Sequence, residues 1–337
     1  MKSKKILILG SKENFSLERM YGRAFKLIGS KVYFLHIYDI KKKIIFKLIW
    51  KFLRFIIFYN IRKKIIKRLE NNKIKYDLIV IFKGLYINEE FLSYVKKIQP
   101  EAKIINIFTD DPFDISYFKD ISNKNILRCI NYFDNLFIFS KKILKKLEKK
   151  FPKKKFNYLP FGSDNKIHKK YLNNSKKKFD LSFTGTADQQ RFNYINYLKE
   201  FKIILAGSDW EKFKLPENIK YIGKIDAKKC SKIMCQSTVS LNILRPQNKF
   251  SHNMKTFEIP AMGGLMITKR NFDQNKFFQE NHGCLMYGNK EELKLKIKMV
   301  LKNPKKFDKI RQNGYRVSKG HYYKERARKI LNITFDK

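Results

Sequence analysis

Acidic residues are scarce in this chain. Thirty Asp and Glu stand against 75 Lys and Arg, a formal net charge of +45 over 337 residues. Such a field attracts nucleic acid, anionic lipid and anionic metabolites alike, so charge alone selects no partner. Lys, Ile, Asn and Phe are abundant together, as A/T-rich codons produce, and the basic excess is therefore discounted as functional evidence. Cysteine is also sparse. Cys129, Cys230, Cys235 and Cys284 form no CxxC pair and no Cys/His ligand spacing, which argues against a zinc site and a disulfide framework and for reduced thiols in a cytosol. No stretch approaches the roughly 18 uncharged apolar residues of a spanning helix. The five-residue apolar run in MKSKKILILG is too short for the core of a signal peptide, so export is not expected. Neither a GxGxxG fingerprint nor a Walker A loop is present, which lowers the case for a dinucleotide enzyme or an ATPase.

What is present is an alternation of short apolar runs with helical patterns. Ile6 to Leu9, Val32 to Ile37, Leu78 to Phe82, Ile104 to Phe108, Leu136 to Phe139 and Asn157 to Leu159 read as strands. A second series follows: Leu181 to Phe183, Ile203 to Ala206, Tyr221-Ile222, Val239 to Ile243, Leu265 to Ile267 and Leu285-Met286. Helical spacing between most of them predicts an α/β fold of two Rossmann-like, doubly wound parallel sheets facing a central cleft, with a helical C-terminus. The expected division is an N-terminal domain at 1–165, a polar, lysine-rich linker at 166–178, a second domain at 179–310, and terminal helices at 311–337 that pack back towards the first domain.

The stretch Ser251 to Thr268, SHNMKTFEIPAMGGLMIT, reads as a polar cap, a short helix over Met254 to Met262, a glycine pair and a buried strand. Free N–H groups at Asn253 and Met254, with His252 and Lys255 beside them, suit a phosphate, and Glu258 one turn on suits a ribose diol. The alternative is an ordinary helix-to-strand turn with a solvated glutamate. Gly185-Thr186 ends a strand and Arg191 follows it, the layout of a glycine-bearing phosphate loop. Asp110-Asp111-Pro112 follows another strand, where paired carboxylates can bind hydroxyls or act as a base; the alternative is an Asx turn. His36 reads as structural. Residues 42–69 place Lys43, Lys47, Lys51 and Arg54 at three- or four-residue spacing among Trp50, Phe52, Phe55 and Phe58, the pattern of an interfacial helix on an anionic membrane or of an amphipathic helix packed on its own sheet. Lys141 to Lys155 reads as a solvated basic face.

Taken in order, FTDDPFD (108–114), FDNLFIFSKK (133–142), YLPFGSD (158–164), DLSFTGTADQQR (180–191), KTFEIPAMGGLMIT (255–268) and a terminal pattern from Glu291 through GYRVSKGHYY resemble the CgeB-like (spore maturation protein-like) glycosyltransferases of GT-B fold. The resemblance covers most of the chain from Ile104 onward, and only the FEIPAMGG segment is specific by itself. It implies an N-terminal acceptor domain, a C-terminal domain for a nucleoside diphosphate sugar, and transfer of the sugar to a glycan, lipid-linked or protein acceptor. By the same resemblance Glu258 holds the ribose, His252, Asn253, Lys255 and Arg191 meet the diphosphate with backbone groups of Gly185 and Thr186, and Gly223 lies where the base is read. Asp110 or Asp111 is the candidate catalytic base. Many retaining relatives carry a second glutamate eight residues before the first; here that position is Phe250, which leaves the stereochemical outcome open. No permanently bound cofactor and no metal are expected, because the second domain lacks a DxD motif and fixed cations can replace one. A cytoplasmic location follows, peripheral on the inner membrane face if residues 42–69 bind lipid. Two rival readings remain: a catalytically silent binding protein of the same fold, and a basic nucleic-acid-binding protein, against which no RRM, KH or helix-turn-helix signature is found.

Overall fold

The computed structural model describes residues 3–11, 13–37, 46–113, 123–171 and 176–335. They form two compact units, Met1–Pro160 with Ala327–Lys337, and Phe161–Arg326. The helix Tyr323–Phe335 begins in the second unit and ends in the first, where Lys329 Nζ donates to Tyr158 O at 2.9 Å and Lys4 lies over the Phe335 ring.

The first unit is built on six parallel strands, β1 (Lys5–Gly10), β2 (Lys31–His36), β3 (Leu78–Phe82), β4 (Lys103–Phe108), β5 (Asn135–Ile138) and β6 (Phe156–Tyr158), ordered β2-β1-β3-β4-β5-β6. All five residues of β3, LIVIF, are buried, as a central parallel strand covered on both faces requires. The scarce acids secure strand starts. Asp77 accepts from Lys5 N at 2.7 Å and Asp134 from Ile104 N at 2.7 Å, satisfying N–H groups that the sheet would otherwise leave open. The connecting helices are capped in the usual way, Ser16 accepting from Arg19 N and Asn88 from Phe91 N.

The second unit carries β7 (Phe179–Thr184), β8 (Ile203–Ala206), β9 (Ile219–Tyr221), β10 (Ser237–Asn242), β11 (Met266–Lys269) and β12 (Leu285–Tyr287), ordered β12-β11-β10-β7-β8-β9 and parallel throughout. Counted from β7, this is the doubly wound order 3-2-1-4-5-6. Its direction of winding reverses between β7 and β10, and the loops leaving those two strands diverge to opposite faces, so a crevice opens above their carboxyl ends. Its core includes Leu181, Ile203, Val239, Ile267 and Leu285 from the strands, with Trp210 fully buried beneath Phe183.

Every strand expected from the apolar pattern is present within a residue or two. The segment expected as a linker packs into the second unit in part. Lys169 O accepts from Ser231 Oγ and His168 is buried, because Asp164 and His168 close a hydrogen-bonded turn that gives the polar sequence internal partners. Of the basic stripe, Lys43 lies outside the described residues, as do the side chains of Lys47, Trp50, Lys51, Phe52 and Arg54. The helix Phe46–Glu70 that carries the rest of it has Phe58 buried, while Phe55, Ile56 and Tyr59 are 65%, 57% and 50% exposed. Among the described residues no helix is long and apolar enough to cross a membrane.

Candidate functional site

One arginine ties together the two loops at the switch point of the second sheet. Beyond β7 come Gly185 and Thr186, and beyond β10 comes Ile243. Arg191, on the helix Gln189–Tyr197, reaches between them, donating from Nη1 to Thr186 O at 2.8 Å and from Nε and Nη2 to Ile243 O at 3.2 and 3.0 Å. The residue is 8% exposed, and Asp188, which caps its helix, lies 3.7 Å from Nε. A planar fork of fixed donors suits this strap, and three of its five N–H groups go to main-chain carbonyls. Arg191, expected as a diphosphate contact, ties the loops that follow β7 and β10 to one another.

Above the end of β10, Asn242 begins a polar lattice. Its Oδ1 accepts from Asn253 Nδ2 at 3.0 Å and its Nδ2 faces Thr256 Oγ1 at 3.3 Å. Asn253 and Thr256 cap one another, Asn253 Oδ1 accepting from Thr256 N and Thr256 Oγ1 accepting from Asn253 N. Gln274 adds a further donor to Thr256 Oγ1 at 3.0 Å. Asn253 is thus the functional cap of the helix Lys255–Ala261, and it consumes its own N–H and that of Thr256. The N–H groups of Met254 and Lys255 remain without an acceptor among the described residues.

Glu258 occupies the next turn, 5% exposed, between two basic side chains. Lys255 Nζ lies 2.7 Å from Oε2 and His168 Nε2 lies 3.5 Å from Oε1. His168 Nδ1 accepts from Asp164 N at 2.9 Å, so the ring proton of neutral His168 sits on Nε2 and points at the carboxylate. Burial works against ionisation of Glu258, but Lys255 and His168 outweigh it and hold the carboxyl below its ordinary value. Burial likewise opposes the charge on Lys255, and the neighbouring Cys230 and Glu258 more than offset that, raising it above the ordinary lysine range. The Cys230 thiol, pushed up by burial, faces Thr184 Oγ1 at 3.8 Å. A carboxylate retains four lone-pair directions, and two neighbours leave Glu258 with acceptor capacity for hydroxyl groups.

His252 is placed differently from expectation. It is fully buried, its Nε2 accepts from Phe161 N at 3.2 Å, and Nδ1 faces Ser251 Oγ at 3.2 Å and Asp273 Oδ2 at 3.5 Å. Rings of Phe161, Phe257 and Phe277 pack edge-on around it. Burial lowers its pKa despite Asp273, so the ring is neutral and sealed from any diphosphate. The residue anchors the segment after Pro160 onto the helix Lys255–Ala261.

Three glycines line the carboxyl ends of β7, β8 and β9. Gly207 has φ +140 and a Cβ there would come 2.0 Å from Gly185 O, so only glycine fits; its N–H donates to Gly223 O at 2.8 Å. Gly223, at φ +69, opens onto free space. In the first unit, Asp110 follows β4 and pairs with Lys83 Nζ at 2.7 Å, while Asp111 accepts from Phe113 N at 2.9 Å, the Asx turn that Asp-Pro favours. Asp111 also has Lys146 at 3.9 Å.

His168, Thr184, Cys230, Asn242 and Thr256 are brought beside Glu258 and the start of its helix, and the sequence did not single them out. Asn242, at the carboxyl end of a strand, was the available signal; the others are brought in by the fold. Among the described residues no group of three or more His, Cys, Asp or Glu side chains gathers to hold a metal ion.

Residues 191–332 match the family described as glycosyl transferase-like. No curated protein matches the chain by sequence. Among solved structures, HepE of Anabaena in complex with UDP and glucose superposes with a TM-score of 0.67 at 11% identity, over 99% of this chain and 100% of that one. Sucrose-phosphate synthase from Thermosynechococcus elongatus gives 0.67 at 10% identity, over 98% of each chain. The BGT of phage T4 in complex with its UDP-glucose substrate gives 0.60 at 14% identity, over 99% and 100%. The chain has the GT-B fold that these structures share.

Proposed function

We propose that this protein is a glycosyltransferase of hexosyl type, related to the CgeB-like group, that binds a nucleoside diphosphate sugar at the switch point of its second unit. The observation that carries the reading is Glu258, a buried carboxylate kept ionised by Lys255 at 2.7 Å and His168 at 3.5 Å, with spare acceptor capacity at the carboxyl end of a doubly wound sheet. A vicinal diol is the neutral ligand such a group suits, and Lys255, a quarter exposed, suits a phosphate beside it. The N–H groups of Met254 and Lys255, with Gly185 and Thr186, would meet the remaining phosphate oxygens and stabilise charge on the leaving diphosphate. Asn253 orients that turn, and Gly223 leaves room for a base. The neighbours' UDP and UDP-glucose complexes make UDP-glucose the first donor to test.

Asp110 is the candidate base or acceptor-orienting group, since Asp111 is engaged in its turn. A glycan, lipid-linked or protein acceptor is compatible with this, and the exposed Phe55, Ile56 and Tyr59 favour one presented at an anionic membrane. Phe250 in place of a second acid and the pairing of Asp110 with Lys83 favour one competing reading, a protein that binds the nucleotide sugar without turning it over. Calorimetry with UDP followed by assay of UDP release from UDP-glucose separates the two. Affinity with release supports transfer; affinity without release on any acceptor supports the silent protein; no affinity for UDP-, GDP-, CMP- or dTDP-sugars overturns the site.

A further inference from the structure

The opposite end of the helix Lys255–Ala261 carries a second cationic feature that the donor reading does not use. A groove of about 170 Å³ is lined by Lys170, Gly263, Arg311, Tyr315, Arg316 and Lys319. Gly263 precedes β11, so the groove lies at the amino end of the sheet, whereas the switch-point loops lie at its carboxyl end. A seven-residue helix, on the order of 10 Å long, separates the two.

The groove is built in two steps. Gly263 has φ +80, and a Cβ there would come 3.0 Å from Lys170 Cγ, so the lysine stem lies across the glycine with its ammonium carried over the Tyr315 ring at 5.6 Å. Lys319 reaches the same ring at 5.2 Å. The helix Asp308–Ser318 that presents Tyr315 is held close by Gly314, where a Cβ would meet Gly283 O at 2.4 Å. Arg311 alone has an acid, Asp308 Oδ1 at 2.7 Å. Among the described residues Lys170, Arg316 and Lys319 have no acidic partner within 4.0 Å. A second cluster in this unit is compensated: Arg270 and Lys296 share Glu280 and Glu292. Four cations around one tyrosine with a single carboxylate repel one another, and a bound anion removes that cost.

We propose that this groove is a second anion site, taking a ligand that presents a phosphate or diphosphate group. The aromatic ring holds two ammonium groups in place by cation–π attraction, and Arg316 supplies a planar fork to the phosphate oxygens. The phosphate can belong to a molecule free in solution or to a lipid headgroup; the chemistry is shared.

The test is titration of inorganic pyrophosphate into the full chain by calorimetry, with Arg316→Glu/Lys319→Glu compared with Lys145→Glu/Lys149→Glu, an equal charge change on the exposed face of the helix Lys141–Lys150 in the first unit. Loss of two charge-assisted contacts predicts roughly tenfold weaker pyrophosphate binding, or loss of one of two binding components, for the first variant only. UDP affinity, read in parallel, should be unchanged. Both pairs are exposed, so both variants should melt with the parent. Co-sedimentation with phosphatidylcholine vesicles containing phosphatidic acid then assigns the source: pelleting abolished by the first variant means a headgroup, and a supernatant protein that still binds pyrophosphate means a free ligand. If the first variant binds pyrophosphate like the parent, or if the control pair weakens it equally, the groove is not an anion site.

Discussion

Replacement of Glu258 by Ala is the sharpest probe of the switch-point site. A hydroxyl donating to a charged, largely desolvated acceptor contributes about 1.5–3 kcal/mol, so UDP affinity should fall roughly ten- to a hundredfold. The same change removes the partner of Lys255 at 2.7 Å. Removing one member of a fully buried pair costs about 3–5 kcal/mol, but Lys255 is a quarter exposed and can turn to water, so about 1–3 kcal/mol is expected. For a unit of this size that lowers Tm by about 2–4 °C per kcal/mol and leaves it folded at 25 °C. Glu258→Gln separates the two effects: it retains shape and one acceptor but no charge, and should recover most of the stability and only part of the affinity. The carboxyl is held below its ordinary value in the folded protein. The stabilisation it gives is therefore present above the unfolded value of about 4.3 and fades as pH falls through the lower folded one. Calorimetry with UDP at pH 7.5, with thermal melts of all three proteins, checks this. Parental UDP affinity in the Ala variant, with a melt that confirms folding, refutes the assignment of Glu258 to the nucleotide.

Four other outcomes are expected. His321 is held down to about 4 by burial, by Arg326 and by His252, against an ordinary 6.5, so the unfolded chain takes up its proton first and stability should fall as pH drops from about 6.5 towards 4. Urea midpoints at pH 7.5 and 5.0 should differ less for His321→Phe, which does not titrate, than for the parent. Gly207→Ala should destabilise by several kcal/mol and abolish UDP binding, because φ +140 and a contact of 2.0 Å with Gly185 O admit no Cβ; an unaltered melt would contradict the close approach of the two loops. Turnover should persist in EDTA, since Lys255 and backbone N–H groups are proposed to carry the diphosphate charge; loss restored by Mn²⁺ would overturn that proposal. Replacing Phe55, Ile56 and Tyr59 with Ser should release the protein from anionic vesicles at low salt without lowering its melting temperature, as these side chains are already exposed; wild-type protein that ignores such vesicles would remove the membrane reading.

The two sheets were legible because parallel strands buried on both faces leave continuous apolar runs, and LIVIF or IILA admits little else at that length. The same rule left the site half visible. Glu258 and Lys255 stand three residues apart on one helical turn, so their meeting is a local fact. The partnership of Glu258 with His168, ninety residues away, depends on where a lysine-rich segment docks, and nothing periodic marks it. His252 and Arg191 show the converse failure. Polar residues beside a glycine or a helix start look ligand-facing in sequence, yet a buried main-chain carbonyl or N–H needs a partner just as much as a ligand does. In both cases the backbone of Thr186, Ile243 and Phe161 took them.

The scarcity of acids turns these placements into an argument about the site. A chain with 30 acids among 75 cations cannot use carboxylates as surface filler, and most of those at special positions have a visible structural duty. Asp77, Asp134 and Asp180 close strand starts through Lys5 N, Ile104 N and Lys202 N. Asp188 and Asp226 cap helices, Asp111 and Asp164 close turns, and Asp273 fixes Ser251 beside His252. Glu280 and Glu292 neutralise Arg270 and Lys296. Glu258 caps no helix and closes no turn; it pairs with Lys255 and His168, and it lies buried where an apolar residue would pack at lower cost. A buried ion pair is weak as a device for stability, so its presence at the switch point needs another reason. We propose that binding of a ligand that a neutral or apolar side chain could not hold supplies that reason, and that Asp110, paired with Lys83 at 2.7 Å, is the carboxylate of the first unit that serves the chemistry.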